Sequence, residues 1–399
     1  MISAISLFSG MGGDTLGINN AGGKVIAFNE FDKHATSCHE LNFPDTELIY
    51  DDSHKKDKDK TNISLIRDEI FEKYAGKVDL IFAGHPCQGF SQGGKKLPDD
   101  PRNTLFREFA RSAKLIKPKF IIGENVDGLL SRKTATGEKY IDVIVSEFNN
   151  IGYNVYYQVC HAVQYGVPQL RKRLVYVGIR QDIDVGVEDV EGVGVENGEG
   201  VESVEENDDN SQSGFHFPEP LNDRKTNLPN LKKIVKYNMT GAIKIDPEDF
   251  DMTSIPEECI LRNMKDDSNE DSDNIHPYLR LKAKTRGQTY NGKTFDNTLS
   301  FAKRESPIHT EVIDIRAPSK TIICTYDHQP RLFVPLQNKN GYFLRPLLPD
   351  ELKQIQGFPA DFKLNGSVKE QIRQIGNAAP PPLVCQIVKQ LIAYCGDLN

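Results

Sequence analysis

A cysteine lies in a glycine-rich segment with the composition of an exposed loop. The segment GHPCQGFSQGG follows the apolar run DLIFAG and places Cys87 directly after Pro86. Such a run is typical of a buried strand, and the carboxyl ends of strands are where open α/β sheets bind ligands. The proline fixes the chain before Cys87, and the glycines after it allow the loop to close. We therefore expect a nucleophilic thiol.

Acidic and basic side chains follow two further apolar runs. Glu124 comes directly after KFIIG, and Arg171 and Arg173 lie two residues apart in QYGVPQLRKR. Residues two apart on a strand point to the same face. A carboxyl group beside a thiol makes a pair of acid and nucleophile. Taken alone, a helix-capping carboxylate and two surface arginines would give the same pattern.

The first apolar run leads into a glycine-rich turn. Phe8-Ser9-Gly10-Met11-Gly12-Gly13 opens a helical stretch, so backbone N–H groups can approach a nucleotide-like ligand. Glu30 and Phe31 end the second run, where an acid commonly binds ribose hydroxyls. The dinucleotide fingerprint needs a third glycine at Thr15, so the turn disfavours NAD.

The elements that position these residues alternate along the first 180 residues. Short β-branched or aromatic runs are separated by helical stretches, namely SLIRDEIFEKYAG, TLFREFARSAKLIK and YIDVIVSEFNNIG. This order predicts an α/β fold with a doubly wound, mostly parallel sheet. Near the end of the chain, PPPLVCQIVKQLIAYC predicts a final helix.

Charge is distributed unevenly along the chain. The net charge is -8, yet the stretch from Asp182 to Asp223 holds 14 acidic residues and no lysine or arginine. This Val/Gly/Glu run is too poor in large apolar residues to form a core, so we expect it to be disordered. Without it the chain is net basic. The seven scattered cysteines, the lack of a membrane-spanning run and the lack of a signal peptide predict an intracellular protein.

Six motifs occur in a characteristic order: FSGMGG, PCQGFSQGG, ENV, QYGVPQLRKR, RPLLPDELKQIQGFP and QIGNAAPP. This series resembles that of the DNA (cytosine-5) methyltransferases over Ile5 to Val177 and Arg345 to Leu383. Two features depart from the family pattern. Ala379 stands where the family more often has valine, and the lysine-rich segment His54–Lys60 is longer than usual. The second departure leaves open whether Asp51 or Asp52 contacts adenine.

The resemblance implies a Rossmann-like methyltransferase fold with a second, smaller target-recognition domain. We expect the catalytic domain at 1–178, the target-recognition domain at 179–344 with its acidic insertion near 182–213, and a hinge with the closing helix at 345–399. The second domain has a basic part suited to a DNA groove. The first four basic residues of that part are Arg280, Lys282, Lys284 and Arg286.

The resemblance also implies a site and a reaction. Cys87 adds to carbon 6 of a flipped-out cytosine, and carbon 5 takes the methyl group of S-adenosyl-L-methionine. Glu124, Arg171 and Arg173 are the other implied catalytic residues. The implied donor contacts are Phe8, Gly10, Gly12, Glu30, Phe31, Asp52, Leu105 and Asn377. The implied DNA contacts are Gln88, Ser91, Gln169 and the four basic residues named above. No metal is expected, because no histidine pair has ligand spacing.

The expected partner is double-stranded DNA. If the chain is half of a restriction-modification pair, a restriction endonuclease is a second partner. We expect a monomer that binds no membrane, in the cytoplasm of a bacterium or in the nucleus or viral factory otherwise. Two alternatives stay open. One is a tRNA cytosine-5 methyltransferase of the same family, although its Cys-Phe-Thr tripeptide is missing. The other is a non-catalytic DNA-binding regulator on this scaffold.

Overall fold

The described residues form two compact units. The computed structural model describes residues 1–86, 104–183, 214–222, 226–245, 255–268, 311–326 and 332–396, with the short segments 281–282, 288–290, 293–295 and 300–301. Almost all of the acidic run therefore lies outside the described residues. The first unit comprises Met1–Tyr165, Lys172–Leu221 and Ala378–Asn399. The second comprises Gly166–Arg171 and Asn222–Asn377.

A seven-stranded sheet is the centre of the first unit. Its strands are β1 (Ser3–Leu7), β2 (Lys24–Asn29), β3 (Glu47–Leu48), β4 (Leu80–Ala83), β5 (Phe120–Asn125), β6 (Tyr153–His161) and β8 (Lys172–Arg180). Their order is β3-β2-β1-β4-β5-β8-β6, and β8 alone runs antiparallel to its neighbours in this sheet. The predicted mostly parallel, doubly wound sheet is confirmed.

Helices cover both faces of this sheet. They are α1 (Gly13–Asn20), α2 (Lys33–Asn42), α3 (Asp57–Lys60), α4 (Asp68–Glu72), α5 (Phe106–Ile116), α6 (Tyr140–Asn149) and α9 (Pro381–Gly396). Alternate apolar residues serve the two faces, as expected for strands buried on both sides. Leu7 packs in the same cluster as Phe109 of α5, whereas Ala4 packs with Ile18 of α1 and Leu383 of α9.

One predicted helix is much shorter than its sequence pattern indicates. The pattern predicts a helix over SLIRDEIFEKYAG, but the structure has a 3-10 turn at Ile63–Leu65 and then only α4. Between them Arg67 has an extended backbone. Its N–H and its guanidinium both donate to the carboxylate of Asp51. This tertiary contact overrides the local helix preference.

The described part of the second unit contains a five-stranded sheet, three two-stranded sheets and two α-helices. The elements are β7 (Gln169–Leu170), β9 (Ile243–Ile245), β10 (Leu261–Arg262), β11 (Leu281–Lys282), β12 (Gln288–Tyr290), β13 (Lys293–Phe295), β14 (Ser300–Phe301), β15 (Glu311–Val312), β16 (Ser319–Lys320), β17 (Leu332–Asn338), β18 (Gly341–Pro346), α7 (Pro349–Ile355) and α8 (Val368–Asn377). Strand β17 pairs with β10, β15 and β18, and β18 pairs in turn with β9. Phe333, Leu344 and Ile245 belong to its core.

The buried Arg345 side chain bonds residues on both sides of the domain boundary predicted at residue 345. The Arg345 side chain is fully buried, and its Nη2 atom lies 2.7 Å from Glu351 Oε1. The same guanidinium donates to the carbonyls of Lys236 and Asn238. These bonds attach α7 to the second unit. The functions assigned to the predicted domains stay predictions.

We predict that Glu351→Ala lowers the free energy of unfolding by about 3 kcal/mol, because it leaves the buried Arg345 guanidinium without its counter-charge. Glu257→Ala is the matched control, since the Glu257 carboxylate is exposed and lies 3.8 Å from Arg262. The control should change stability by less than about 0.5 kcal/mol. Urea unfolding followed by circular dichroism measures both. Equal effects of the two substitutions would contradict a structural role for the buried pair.

Candidate active site

Three neighbouring strands are in register at the carboxyl edge of the first sheet, where β1 and β4 end and β5 continues to Asn125. Leu7 of β1 is paired with Ala83 of β4, which is paired with Gly123 of β5. The chain order diverges between β1 and β4, so this is the switch point where open α/β sheets bind ligands. The next residues along the three strands are Phe8, Gly84 and Glu124. A Cβ atom on Gly84 would lie 3.8 Å from the Phe8 carbonyl oxygen and 4.0 Å from Glu124 Oε2.

The turn after β1 has an unusual backbone. Phe8, Gly10 and Gly12 all have positive φ, and a non-glycine residue such as Phe8 adopts this conformation at a cost. A Cβ on Gly12 would lie 2.5 Å from the Phe43 ring, so only glycine fits there. No described atom lies within 4 Å of a Cβ built on Gly10. The turn therefore presents open backbone at Gly10.

Glu30 lies beside this turn, directly after β2. Its Oε2 atom accepts the Gly10 N–H at 2.8 Å, and its Oε1 atom accepts the Asp32 N–H at 2.7 Å. Burial raises the pKa of Glu30 above its ordinary value. The next side chain, Phe31, is 57 % exposed. An acid and an open aromatic ring thus adjoin the turn, as the sequence predicts. Leu105, just before α5, and Phe8 both pack against the same core.

The two candidate adenine acids have different surroundings. Asp51 is fully buried, and both of its oxygens accept hydrogen bonds from the Arg67 guanidinium. This pairing holds the pKa of Asp51 well below its usual range. The Asp52 side chain is exposed and lies 3.9 Å from Lys60 Nζ. Of the two, only Asp52 is available to a ligand.

Asn62 is a polar residue at this edge that the sequence interpretation missed. The Asn29 side chain at the end of β2 donates to the carbonyls of Ile49 and Thr61, at 3.0 and 3.1 Å. The lysine-rich segment therefore forms a loop, and the chain returns to the end of β2 at Thr61. Asn62 follows at once. In the sequence, the lysine-rich segment separates Asn62 from Asp51 and Asp52. The length of that segment was the feature that could have indicated Asn62.

Glu124 is held by one of the two predicted arginines. Arg173 Nε lies 2.6 Å from Glu124 Oε1, and both side chains are 12 % exposed. The contact crosses an antiparallel pair, because Glu124 of β5 is opposite Val175 of β8. The ion pair therefore holds the carboxyl group beside the guanidinium at the carboxyl edge of the sheet.

A buried histidine and asparagine fasten the chain just before Pro86. The Asn125 side-chain amide lies 3.1 Å from His85 Nδ1 and donates to the His85 carbonyl at 3.2 Å. Burial lowers the pKa of His85 to about 4, so the ring is neutral at pH 7. Beyond the motif letters, no sequence pattern indicates this pair.

Arg171, Gln169 and Asn377 lie in the second unit. Arg171 is 2 % exposed and donates to the carbonyls of Ile322 and Gly376, at 3.2 and 3.1 Å. Gln169 is also buried and bonds Gln356 and the Ile322 N–H. Asn377 ends α8 and is exposed. The expectation that Arg171 and Arg173 share a strand face is wrong, because the strand breaks at Arg171.

Several predicted residues are not described. Cys87, Gln88, Ser91, Arg280, Lys284 and Arg286 lie outside the described residues, and only the backbone of Lys282 is described, in β11. Their roles stay predictions. In the part of the chain that the structure describes, no group of three His, Cys, Asp or Glu side chains could hold a metal ion. Among those same residues no helix is long and apolar enough to cross a membrane.

Comparison with known proteins decides the family. The family model for C-5 cytosine-specific DNA methylases matches residues 2–393. The chain belongs to the C-5 cytosine-specific DNA methylase family. The predicted family, fold class and enzyme class are thereby confirmed.

Two relatives of this methylase come from bacteria. It is 29 % identical to the Type II methyltransferase M.FnuDI of Fusobacterium nucleatum, over 97 % of this chain and 93 % of the relative. It is 30 % identical to M.PspPI of a Psychrobacter strain, over 98 % and 79 %. The fold also resembles that of a DNMT2 mutant from Spodoptera frugiperda, with a TM-score of 0.59 at 17 % identity over 98 % of this chain and all of the other.

We predict that Gly123→Ala destabilises this methylase by about 1 to 3 kcal/mol, because a Cβ there would lie 1.9 Å from the Tyr176 ring on β8. The ring would have to move away from the strand that carries Glu124. Gly84→Ala is the control, since its Cβ would meet only ordinary van der Waals contacts. Chemical unfolding compares the two variants. A Gly123→Ala protein as stable as the control would contradict the packing described for β5.

Proposed function

We propose that the protein transfers a methyl group from S-adenosyl-L-methionine to carbon 5 of a cytosine in a specific sequence of double-stranded DNA. The observation that carries the proposal is the position of Gly84 between the Phe8 carbonyl and the Glu124 carboxyl. The chain leaving Gly84 reaches Cys87 three residues later. A donor turn and an acid therefore lie beside the segment that leads to Cys87, the proposed nucleophile.

The residues around the turn fit the methyl donor. The open backbone at Gly10 gives a ligand close approach, and the Glu30 carboxylate suits two ribose hydroxyls. The exposed Phe31 ring suits an adenine face, with Asp52 or Asn62 at its polar edge. Phe8, Gly12 and Leu105 complete the proposed contacts, and a donor contact by Asn377 stays a prediction. When bound, S-adenosyl-L-methionine supplies an electrophilic methyl group on its sulfonium centre.

The protein's own groups act on the cytosine. Because carbon 5 is a poor nucleophile, the Cys87 thiolate first forms a bond to carbon 6, which makes carbon 5 electron-rich. Glu124 donates a proton or hydrogen bond to ring nitrogen 3 as charge develops there. Once carbon 5 carries the methyl group, with S-adenosyl-L-homocysteine as the by-product, a base takes the carbon 5 proton and the Cys87 thiolate leaves carbon 6. The base must first leave the duplex stack, at a cost of a few kcal/mol.

The two arginines have separate roles in this proposal. Arg173 orients the Glu124 carboxyl and lies close enough to the same edge to contact the base. Through backbone carbonyls, Arg171 ties the residues before β8 to the segment after β16 and to the last turn of α8. We therefore assign the base contact to Arg173, while a phosphate contact by Arg171 stays a prediction.

The names of the bacterial relatives support a restriction endonuclease as the partner of this protein. Both relatives described above are named Type II methyltransferases. We infer that the chain is the modification half of a restriction-modification pair in a bacterial cytoplasm, protecting the sites of a cognate endonuclease. The family match favours DNA over tRNA as substrate.

We predict that Cys87→Ser abolishes methyl transfer but leaves duplex binding within about threefold, because a hydroxyl of similar size is a far weaker nucleophile. The covalent adduct with 5-fluorocytosine DNA should vanish as well. Cys160→Ser is the control, since burial raises the pKa of that thiol to about 12 and makes it inert. Wild-type turnover in the Cys87→Ser enzyme would rule out the thiolate mechanism.

We predict that Glu124→Gln slows single-turnover methyl transfer by roughly 100-fold, because the amide cannot donate a proton as the carboxyl does. Asp127→Asn removes a carboxyl three residues later in the chain and should leave the rate unchanged. Rapid-quench assays with saturating DNA and donor measure the step. An unchanged rate in Glu124→Gln would remove the acid from the mechanism.

A further inference from the structure

A buried polar cluster lies beneath the donor turn, and the mechanism above does not use it. Its members come from β1, the turn, α1 and α2, and each is at most 5 % exposed. They are Ser6, Ser9, Asp14, Thr15 and His39. Such groups cost folding free energy unless they are paired, so a buried cluster of this size calls for an explanation.

The Asp14 carboxyl is the centre of this cluster. Ser6 Oγ of β1 donates to Asp14 Oδ2, and Ser9 Oγ of the turn lies 3.5 Å from Asp14 Oδ1. Asp14 itself belongs to the first turn of α1. One carboxyl group therefore connects the strand before the donor turn, the turn itself and the helix after it.

The donor turn needs such a connection, because its backbone is strained. Phe8 has a φ of 55°, and two of the next four residues are also in the left-handed region. Besides Asp14, the bonds that hold the turn include Ser9 N–H to Asn29 O, Gly12 N–H to Ser9 O, and Gly10 N–H to Glu30. The Asp14 carboxyl adds the link from the turn to β1.

We propose that Asp14 is a positioning residue that holds the glycine-rich turn in the conformation that binds the methyl donor, and that loss of its proton weakens donor binding. The inference rests on the proposed donor site. It adds a dependence of donor affinity on pH that acts through a residue without donor contact.

Burial sets the sign of this dependence. Desolvation raises the pKa of Asp14 to about 7. If the turn opens, water reaches the carboxyl and its pKa falls towards the ordinary value near 4. The closed turn thus holds the proton more tightly than the open turn. Raising the pH between these two values favours opening, so donor affinity falls until about pH 7 and is level above it.

Other groups around Asp14 are neutral between about pH 4 and about pH 7, except Glu30, whose effect on donor affinity can be separated from that of Asp14. The hydroxyl groups of Ser6, Ser9 and Thr15 do not titrate in this range. Burial lowers the pKa of His39 to about 3, so its ring stays neutral. Helix α9 meets α1 at Gly17 through Pro381 and Val384. Glu30 touches the turn and titrates too, but its ionisation should favour ribose binding and so raise affinity with pH.

The test is calorimetric binding of S-adenosyl-L-methionine to the full chain, without DNA, from about pH 5.5 to about pH 8. Asp14→Asn keeps the shape of the side chain and cannot ionise. We expect the ratio of wild-type to Asp14→Asn affinity to fall at least about fivefold up to pH 7 and then to level off. Taking the ratio cancels the contribution of Glu30. A ratio that is constant within twofold would overturn the proposal.

Ser6→Ala provides a second readout. The Ser6 hydroxyl lowers the pKa of Asp14, so its removal should move the levelling of affinity to higher pH. If Ser6→Ala lowered donor affinity by the same factor at every pH, the role of the cluster would be purely structural. That result would refute the proposal. Failure of wild-type protein to bind the donor at any pH would refute the donor site itself, a distinguishable result.

Discussion

The register of three parallel strands is the constraint on which the site depends. Leu7, Ala83 and Gly123 form one row of paired residues across β1, β4 and β5. Because the strands are hydrogen-bonded at the standard spacing, the residues that come after each of them must emerge side by side. A donor turn, the approach to Cys87 and an acid thus come together without any contact made for that purpose. A shift of one residue in any strand would separate them.

Buried polar contacts then fix the chain beyond the end of each strand. The Asn125 amide bonds the His85 backbone, Arg173 bonds Glu124, and Asp51 interrupts a helix by accepting from Arg67. Each is an interaction whose loss would leave a polar group unpaired in the interior, which makes alternative arrangements costly. Apolar packing alone would tolerate several arrangements of these loops. The polar contacts select one.

The sequence predicts the parts of the site whose signal is local. The glycine turn, Glu30 and Glu124 each follow an apolar run directly, so their placement at the sheet edge needs only the alternation of strands and helices. Arg171 and Arg173 could not be told apart in this way. The backbone N–H of Arg171 bonds the Gln169 carbonyl, which ends the strand pattern and gives the two arginines different partners. Asn62 was missed for a similar reason, since only tertiary hydrogen bonds show that the chain returns to β2.

Every role proposed for these residues requires that a methyl group reaches carbon 5 of cytosine in duplex DNA. The decisive measurement is incubation of the protein with methyl-tritiated S-adenosyl-L-methionine and either duplex DNA or tRNA, with digestion to nucleosides and chromatography. We expect label in 5-methyl-2′-deoxycytidine from the duplex and none from tRNA. Label confined to tRNA, or to another position of a DNA base, would contradict the proposed reaction.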